Sequence, residues 1–403
     1  MAINAAYTGH FRLYKMKECD NMYIKQAIQD VLSNNLYLSN LYYKTMVVSQ
    51  HRMRKQIEYC KKIDSIADIT QLQEFRSQFD NDHIFAPARS QEYSLFRMYG
   101  YLNGIFGAIP DRLTFQYPTI EHGLFLGNEV TPEVTRMAHA SVLTFGAYRK
   151  EIIHKYREGM PVFCIGPYLH YVAPYYSEEE MRELKQKLGK TLLVFPAHSI
   201  PKYTVTRNEN EYYKKIKRIA ADFDSVLINV YWWNVNDPMV QDLQAEGYKI
   251  VSAGFQYDIN FAKRLKTIIQ LADLAIGDSI GTHIGFCEDV NVPFRYIDAN
   301  TKDCECQSSP QQKYVDRISA EIENAFRENS FSEEKQKHVL NYYWGQNCVR
   351  TQTEISKILE INKELTLRGR GTTNGYRIAS KQLLNEYSQT DVEKFNLLSE
   401  AMK

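Results

Sequence analysis

Between residues 161 and 298 short, continuously apolar runs alternate with amphipathic stretches, and this alternation constrains the fold more than any other feature. The apolar runs are PVFCIGP (161–167), TLLVFPAHS (191–199), SVLINVYWW (225–233), YKIVSAG (248–254), LAIGDS (274–279) and VPFRYID (292–298). The segments between them carry helix punctuation. Ser177 precedes the acidic turn of SEEEMRELKQKL, and Pro238 sits just inside a helix that Gly247 follows. Residues 209–223 and 259–272 have amphipathic helical character. Strands apolar on both faces, separated by helices, require a parallel sheet covered on both sides. A Rossmann-like domain is therefore expected, in a unit running from 161 to 370.

The chain has 403 residues, enough for two such units. Residues 1–160 read as a helix-rich α/β half. A long helix is expected across 20–63, further helices over 71–80 and 91–106, and strand-like pieces at 123–126 and 141–145. The tail reads as helices over 310–328, 332–362 and 379–402, with the Gly-rich break LRGRGTTNGYR at 367–377. The fold class is α/β, GT-B-like, with two Rossmann-like domains facing a cleft and extra helices in the N-terminal half and tail. Such a two-domain arrangement resembles glycosyltransferases of the GT-B kind, which implies that residues 1–160 are the acceptor side and 161–370 the nucleotide-sugar side; the helical segment 371–403 is expected to pack back on the first domain.

Charge argues against bulk nucleic-acid binding, because 49 Lys and Arg nearly cancel 48 Asp and Glu. Seven cysteines without framework spacing point to a reducing compartment. Cys304-x-Cys306 lacks partners at metal-ligand spacing, so no metal site is read. The N-terminus has no apolar signal core, and no stretch is apolar enough for a transmembrane helix. The expected setting is cytoplasmic, with a peripheral place at the inner membrane as part of a longer polypeptide.

Ligands of open parallel sheets bind beyond the carboxyl ends of the strands, so those ends hold the candidates. Gly166-Pro167-Tyr168 offers backbone groups and a ring for a base, or is simply a linker bend. His198-Ser199 offers donors to phosphate oxygens. Asn234 and Asp237 lie in a polar turn that also reads as a helix cap. Gln256-Tyr257 adds an amide and a phenol. Ser279-Ile280-Gly281-Thr282-His283 opens a helix directly after a buried strand, where free N–H groups and the helix dipole favour an anion. Glu121-His122, before GLFLG, is a titratable pair suited to acid–base work across the cleft, or a solvated turn. Gly277-Asp278-Ser279-Ile280-Gly281 also fits G-x-S-x-G, followed by Asp298 and His338 in hydrolase order. A serine hydrolase and a non-catalytic nucleotide-sugar-binding protein are therefore the rival readings.

Five blocks narrow the choice: IEHGLFLGNEV, VFCIGPYLHYVAPYY, LLVFPAHS, VLINVYWWNVND and IGDSIGTHIGFCEDVNVPFRYID. Together they resemble the retaining β-Kdo glycosyltransferase domains of bacterial O-antigen assembly enzymes, over nearly the whole chain. The resemblance implies a CMP-β-Kdo donor bound by the second domain, a glycan or glycolipid acceptor, retention, and no metal or other cofactor. It also implies an Asp nucleophile at the end of the third strand of that domain. Asn234 stands at that place. Either nearby Asp237 is the nucleophile or Asn234 marks a disabled variant.

Overall fold

The computed structural model describes residues 55–79, 98–107, 116–130, 138–199, 205–299, 301–303, 310–327 and 332–403, with positions 31, 34–38, 41 and 134. Most of the expected 20–63 helix, residues 91–97 of the one expected over 91–106, Cys304 and Cys306 lie outside these residues.

Two parallel sheets organise the chain. The first has the order β1 (Thr119–Ile120), β2 (Val142–Thr144), β3 (Val162–Cys164), with α3 (Ala147–Tyr156) crossing between β2 and β3. Before it stand α1 (Ile69–Phe79) and α2 (Tyr101–Phe106). The strand expected to open the second sheet at 161 pairs instead with β2, Val142 opposite Val162. The second sheet thus begins only at Thr191. The strand expected at 123–126 does not form, and residues 121–130 run irregularly after β1.

The second sheet comprises β4 (Thr191–Phe195), β6 (Ser225–Asn229), β7 (Lys249–Val251), β8 (Leu274–Gly277) and β9 (Phe294–Tyr296), ordered β7-β6-β4-β8-β9 and parallel throughout. Counted along the chain this is 3-2-1-4-5, the doubly wound order, with its switch point between β4 and β8. The crossovers are α5 (Glu209–Ala220), α6 (Pro238–Ala245), α7 (Phe261–Gln270) and α8 (Thr282–Asp289), while α4 (Glu178–Leu188) leads into β4. Ser177 and Glu180 close a capping box at α4. A short antiparallel pair, β5 (Val205–Thr206) with β10 (Lys302–Asp303), flanks the sheet.

The continuous apolar runs have a simple cause. In β4 all five residues are buried, yet Leu193 and Phe195 enter one core while Leu192 and Val194 enter another. The period of two persists, but both faces need apolar side chains. The first core also takes in Tyr101, Phe145, Tyr168 and Phe286, so it runs unbroken between the sheets.

The tail comprises α9 (Pro310–Phe326), α10 (Glu333–Val339), α11 (Gln352–Arg368), α12 (Thr373–Thr390) and α13 (Val392–Met402). The expected 332–362 helix is broken at Gly345, whose φ is +65° and where a Cβ would lie 2.0 Å from Phe145 O. Only glycine fits so close a left-handed turn. The tail then returns to the first sheet. Asn362 accepts from Ser141 Oγ at 2.6 Å and donates to Gln116 O at 2.7 Å. Arg350 Nε donates to Cys164 O at 3.2 Å and its Nη2 to Glu400, while α13 lies against β3. Among the described residues no helix is long and apolar enough to cross a membrane.

Candidate active cleft

The carboxyl ends of β4, β6, β7 and β8 open into two adjoining chambers. The inner one, ≈ 330 Å³, is closed on its far side by Tyr99, Tyr101 and residues 122–124 of the first half. The outer one, ≈ 390 Å³, lies over residues 196–199, Arg207, Asn229, Asn234 and Asp237. His198 and Tyr231 line both, their rings 4.6 Å apart, and form the partition.

One buried carboxylate braces this mouth. Asp278 follows β8; its Oδ1 accepts the Ala197 N–H at 2.7 Å, and its Oδ2 accepts Arg207 Nη1 at 2.8 Å and Thr301 Oγ1 at 2.6 Å. The loops after the two switch-point strands are thereby fixed to each other. Helix α8 starts immediately beyond. Its N-cap, Gly281, is extended and supplies no side-chain cap. The first-turn amides and the helix dipole therefore face the inner chamber beside Ser279. The Thr282 hydroxyl is engaged, accepting the Leu124 N–H at 3.0 Å.

Two imidazoles flank this turn. His283 stacks on Phe195 at 4.8 Å, and its Nε2 is buried without a hydrogen-bond partner. Burial, with His198 adding to it, holds its pKa down to about 3. His198 keeps an open face, yet the surrounding protein and then the Arg207 guanidinium push it down to about 4. Both rings are neutral near pH 7.

Asn234 ends a short helical turn after β6 and is 4% exposed. Its Nδ2 donates to Asp237 Oδ2 at 2.6 Å. Asp237 stands at the N-cap of α6 but its side chain makes no capping bond, being turned to Asn234. Both line the outer chamber, with Ser199, whose Oγ accepts the Val205 N–H at 3.0 Å.

Several expected site residues lie elsewhere. Glu121 is fully buried and bound by Arg149 through Nε at 3.0 Å and Nη2 at 2.7 Å, with Thr144 Oγ1 donating at 2.8 Å. It braces the first sheet, while His122 faces the inner chamber and stacks on Tyr99. Tyr168 is fully buried, stacked on Phe145 at 4.0 Å, so it meets no base. Gly166 packs against the tail, where a Cβ would lie 2.8 Å from Gly345 O, and Gly166-Pro167 is the linker bend. Gln256 Oε1 accepts from Tyr231 OH and Trp232 Nε1, each at 2.7 Å, and Tyr257 packs edge-on against Phe255. They support the cleft from beneath. The hydrolase triad is not assembled: Asp298 meets Arg327 at 3.4 Å and His338 stacks on Tyr342.

Sequence reasoning missed Asn229, Tyr231, Arg207 and the wall residues Tyr99 and Tyr101. Asn229 and Tyr231 lie at a strand end and were open to the same argument as Asn234. Arg207 and the wall tyrosines carry no local signal.

No family model matches the chain, and no curated protein matches it. Among solved structures, a variant of Os79 from O. sativa in complex with UDP is 10% identical, covering 82% of this chain and 70% of that one, at a TM-score of 0.27. The chemistry of the cleft therefore stands on its own residues.

Proposed function

We propose that this chain is a glycosyltransferase using a nucleotide-activated sugar. One observation carries the reading. At the switch point of a doubly wound sheet, an uncapped helix start, Ser279 and two neutral imidazoles converge on a chamber whose opposite wall belongs to a second parallel sheet. The donor phosphate is assigned to the first turn of α8, with Ser279, His283 and His198 around it.

The resemblance to retaining β-Kdo transferases supplies the finer reading: CMP-β-Kdo as donor and a sugar hydroxyl of an O-antigen or lipopolysaccharide acceptor. In a double displacement a carboxylate attacks the anomeric carbon and expels CMP. The acceptor hydroxyl then displaces the carboxylate and gives up its proton. An amide is a poor nucleophile, so Asn234 does not fill this role as it stands. Either Asn234 marks a disabled variant, or Asp237, hydrogen-bonded to it, supplies the carboxylate instead. His122, on the facing wall, is the group assigned to the acceptor's proton.

Calorimetric titration with CMP and UDP tests donor binding. Transfer from CMP-Kdo to a rhamnose- or GlcNAc-containing acceptor, with mass spectrometry for a covalent adduct, tests the chemistry. Binding of CMP and a gain of transfer in Asn234→Asp are expected. Failure to bind any nucleotide sinks the transferase reading, and robust turnover without gain from Asn234→Asp moves the nucleophile to Asp237.

A further inference from the structure

Cys164 closes β3, and Cys348 ends the short turn Gln346–Cys348 that follows the break at Gly345. The strand end and this turn are packed on each other. A Cβ on Gly166 would lie 2.8 Å from Gly345 O and 2.9 Å from Val349 Cγ2. Arg350 Nε donates to Cys164 O at 3.2 Å. The Arg350 N–H donates at 2.9 Å to Tyr171 OH, which in turn donates to Ile165 O at 2.6 Å. Residues before and after Cys348 thus touch residues 164–166. The two cysteines meet between these contacts, both reduced and with their thiols hydrogen-bonded to each other.

The pair is unequal. Cys164 is 5% exposed, whereas Cys348 is half-buried and within reach of solvent. Arg350 and Lys150 of α3 bring positive charge to Cys348, with Glu400 of α13 opposing them. Both cations are held in place, Arg350 Nη2 by the Glu400 carboxylate and Lys150 Nζ by Glu400 O at 2.6 Å. The Asn347 carboxamide oxygen lies 3.5 Å from the Cys348 sulfur. The hydrogen bond from Cys164, then the two cations, hold Cys348 down to about 7 against burial and Glu400. The same bond, then burial, pushes Cys164 well up. Near neutral pH a large share of Cys348 is therefore thiolate, while Cys164 keeps its proton. A reachable thiolate beside a protonated thiol has the chemistry of a peroxide-reactive cysteine with its resolving partner.

We infer that Cys164 and Cys348 form a reversible dithiol–disulfide site, oxidised by hydroperoxides, that staples the tail to the first sheet. The Cys348 sulfur attacks one peroxide oxygen, the O–O bond breaks, and the departing hydroxide takes up the proton that Cys348 had released. Cys348 is then a sulfenic acid. The Cys164 sulfur attacks the Cys348 sulfur, the S–O bond breaks, and the hydroxyl leaves with the Cys164 proton as water. Two thiols are oxidised to one disulfide, and hydrogen peroxide is reduced to two waters. The covalent loop so closed contains the whole second sheet, and it fixes the start of α11 to the end of β3. In a reducing setting the pair rests as the dithiol, and oxidant closes it. The site is independent of the transferase reading.

The sequence allows a direct test, because trypsin releases each cysteine in its own peptide, 158–182 and 338–350. The full chain is reduced, freed of reductant, treated with hydrogen peroxide at pH 7, capped with iodoacetamide and digested. The two peptides should appear joined, less two hydrogens, from protein that remains a single chain on a non-reducing gel. Dithiothreitol should separate them. Oxidation should raise the melting temperature by about 5 °C, reversibly, since the closed loop is long. In Cys164→Ser, dimedone should label Cys348 as the sulfenic acid, with no joined peptide. Cys348 paired with a different cysteine or a second chain, no oxidation at Cys348, or an unchanged melting temperature overturns the proposal. Should Cys164→Ser not fold, the joined peptides and the melting shift of the unaltered chain decide.

Discussion

Thr282 Oγ1 accepts the backbone N–H of Leu124 at 3.0 Å, which fastens the loop after β1 to the first turn of α8. Gly123 lies so close that a Cβ there would sit 3.2 Å from the same hydroxyl. The cradle and the facing wall are thus joined at the point where the donor phosphate is assigned. Thr282 thereby ties the two halves together across the cleft. Thr282→Val should lower the hydrogen-exchange protection of the Leu124 amide about five- to tenfold, the loss of ~1 kcal/mol for one neutral bond. Thr282→Ser should retain it. Equal protection in all three proteins would show that the bond contributes nothing in solution.

Donor binding should respond to the cradle. Ser279→Ala and His198→Ala are each expected to weaken CMP about five- to thirtyfold, or ~1–2 kcal/mol per charge-assisted bond. Calorimetry finding unchanged affinity in both would remove the cradle assignment. Because His198 and His283 start neutral, an arriving phosphate should draw protons onto them. Titrations at pH 7.5 in buffers of different ionisation enthalpy should reveal net uptake.

Glu121 should behave as a brace. Removing one partner of a fully buried ion pair costs about 3–5 kcal/mol, so Glu121→Ala should unfold at markedly lower denaturant than the parent. Transfer activity lost in a Glu121→Gln protein of undiminished stability would return a catalytic role to this residue.

Gly285 on α8 faces Trp344, and a Cβ there would lie 2.2 Å from the ring. Gly285→Ala should cost about 1–3 kcal/mol through overpacking. Its effect should extend to the tail turn around Trp344, read as a change in tryptophan fluorescence alongside the fall in melting temperature.

Acid should destabilise the protein through His139. Its side chain is 2% exposed, and burial, then Arg157, holds its pKa down to about 3. Unfolded, it titrates near 6.5, so unfolding takes up a proton. Its contribution to stability is intact above pH 6.5 and falls as pH drops toward 3. Between pH 7 and 5 the loss should be ~2 kcal/mol. Denaturant midpoints of the parent and His139→Asn across that range should show a shallower slope in the variant.

The second sheet was legible in the sequence because each of its strands needs apolar side chains on both faces, as β4 shows, and helices with ordinary caps separate them. The strand-end residues Ser279, His198 and Asn234 were legible for the same reason, since a strand's end is visible wherever its apolar run stops. Strand β3 looks identical to these runs, and nothing local tells that Val162 pairs with Val142 rather than with Leu192. Tyr168 and Glu121 were misread because a polar or aromatic residue at a strand end looks the same whether it faces a cleft or a buried partner. Arg149, which claims Glu121, is 28 residues away. Only the folded chain brings such partners together.

The return of the tail to the first sheet has a consequence for synthesis. Strand β3 is covered by α13, and Ser141 is hydrogen-bonded to Asn362, so the first half borrows its outer layer from residues made after the whole second sheet. On the ribosome the earlier-made half must wait, with β3 and its neighbours uncovered, until the final helices emerge, whereas the second sheet has its five strands in hand by residue 296. The order of assembly is then the reverse of the order of translation. A nascent chain stalled before residue 350 would present a completed second sheet beside an exposed apolar β3, the surface on which chaperones would be expected to hold it.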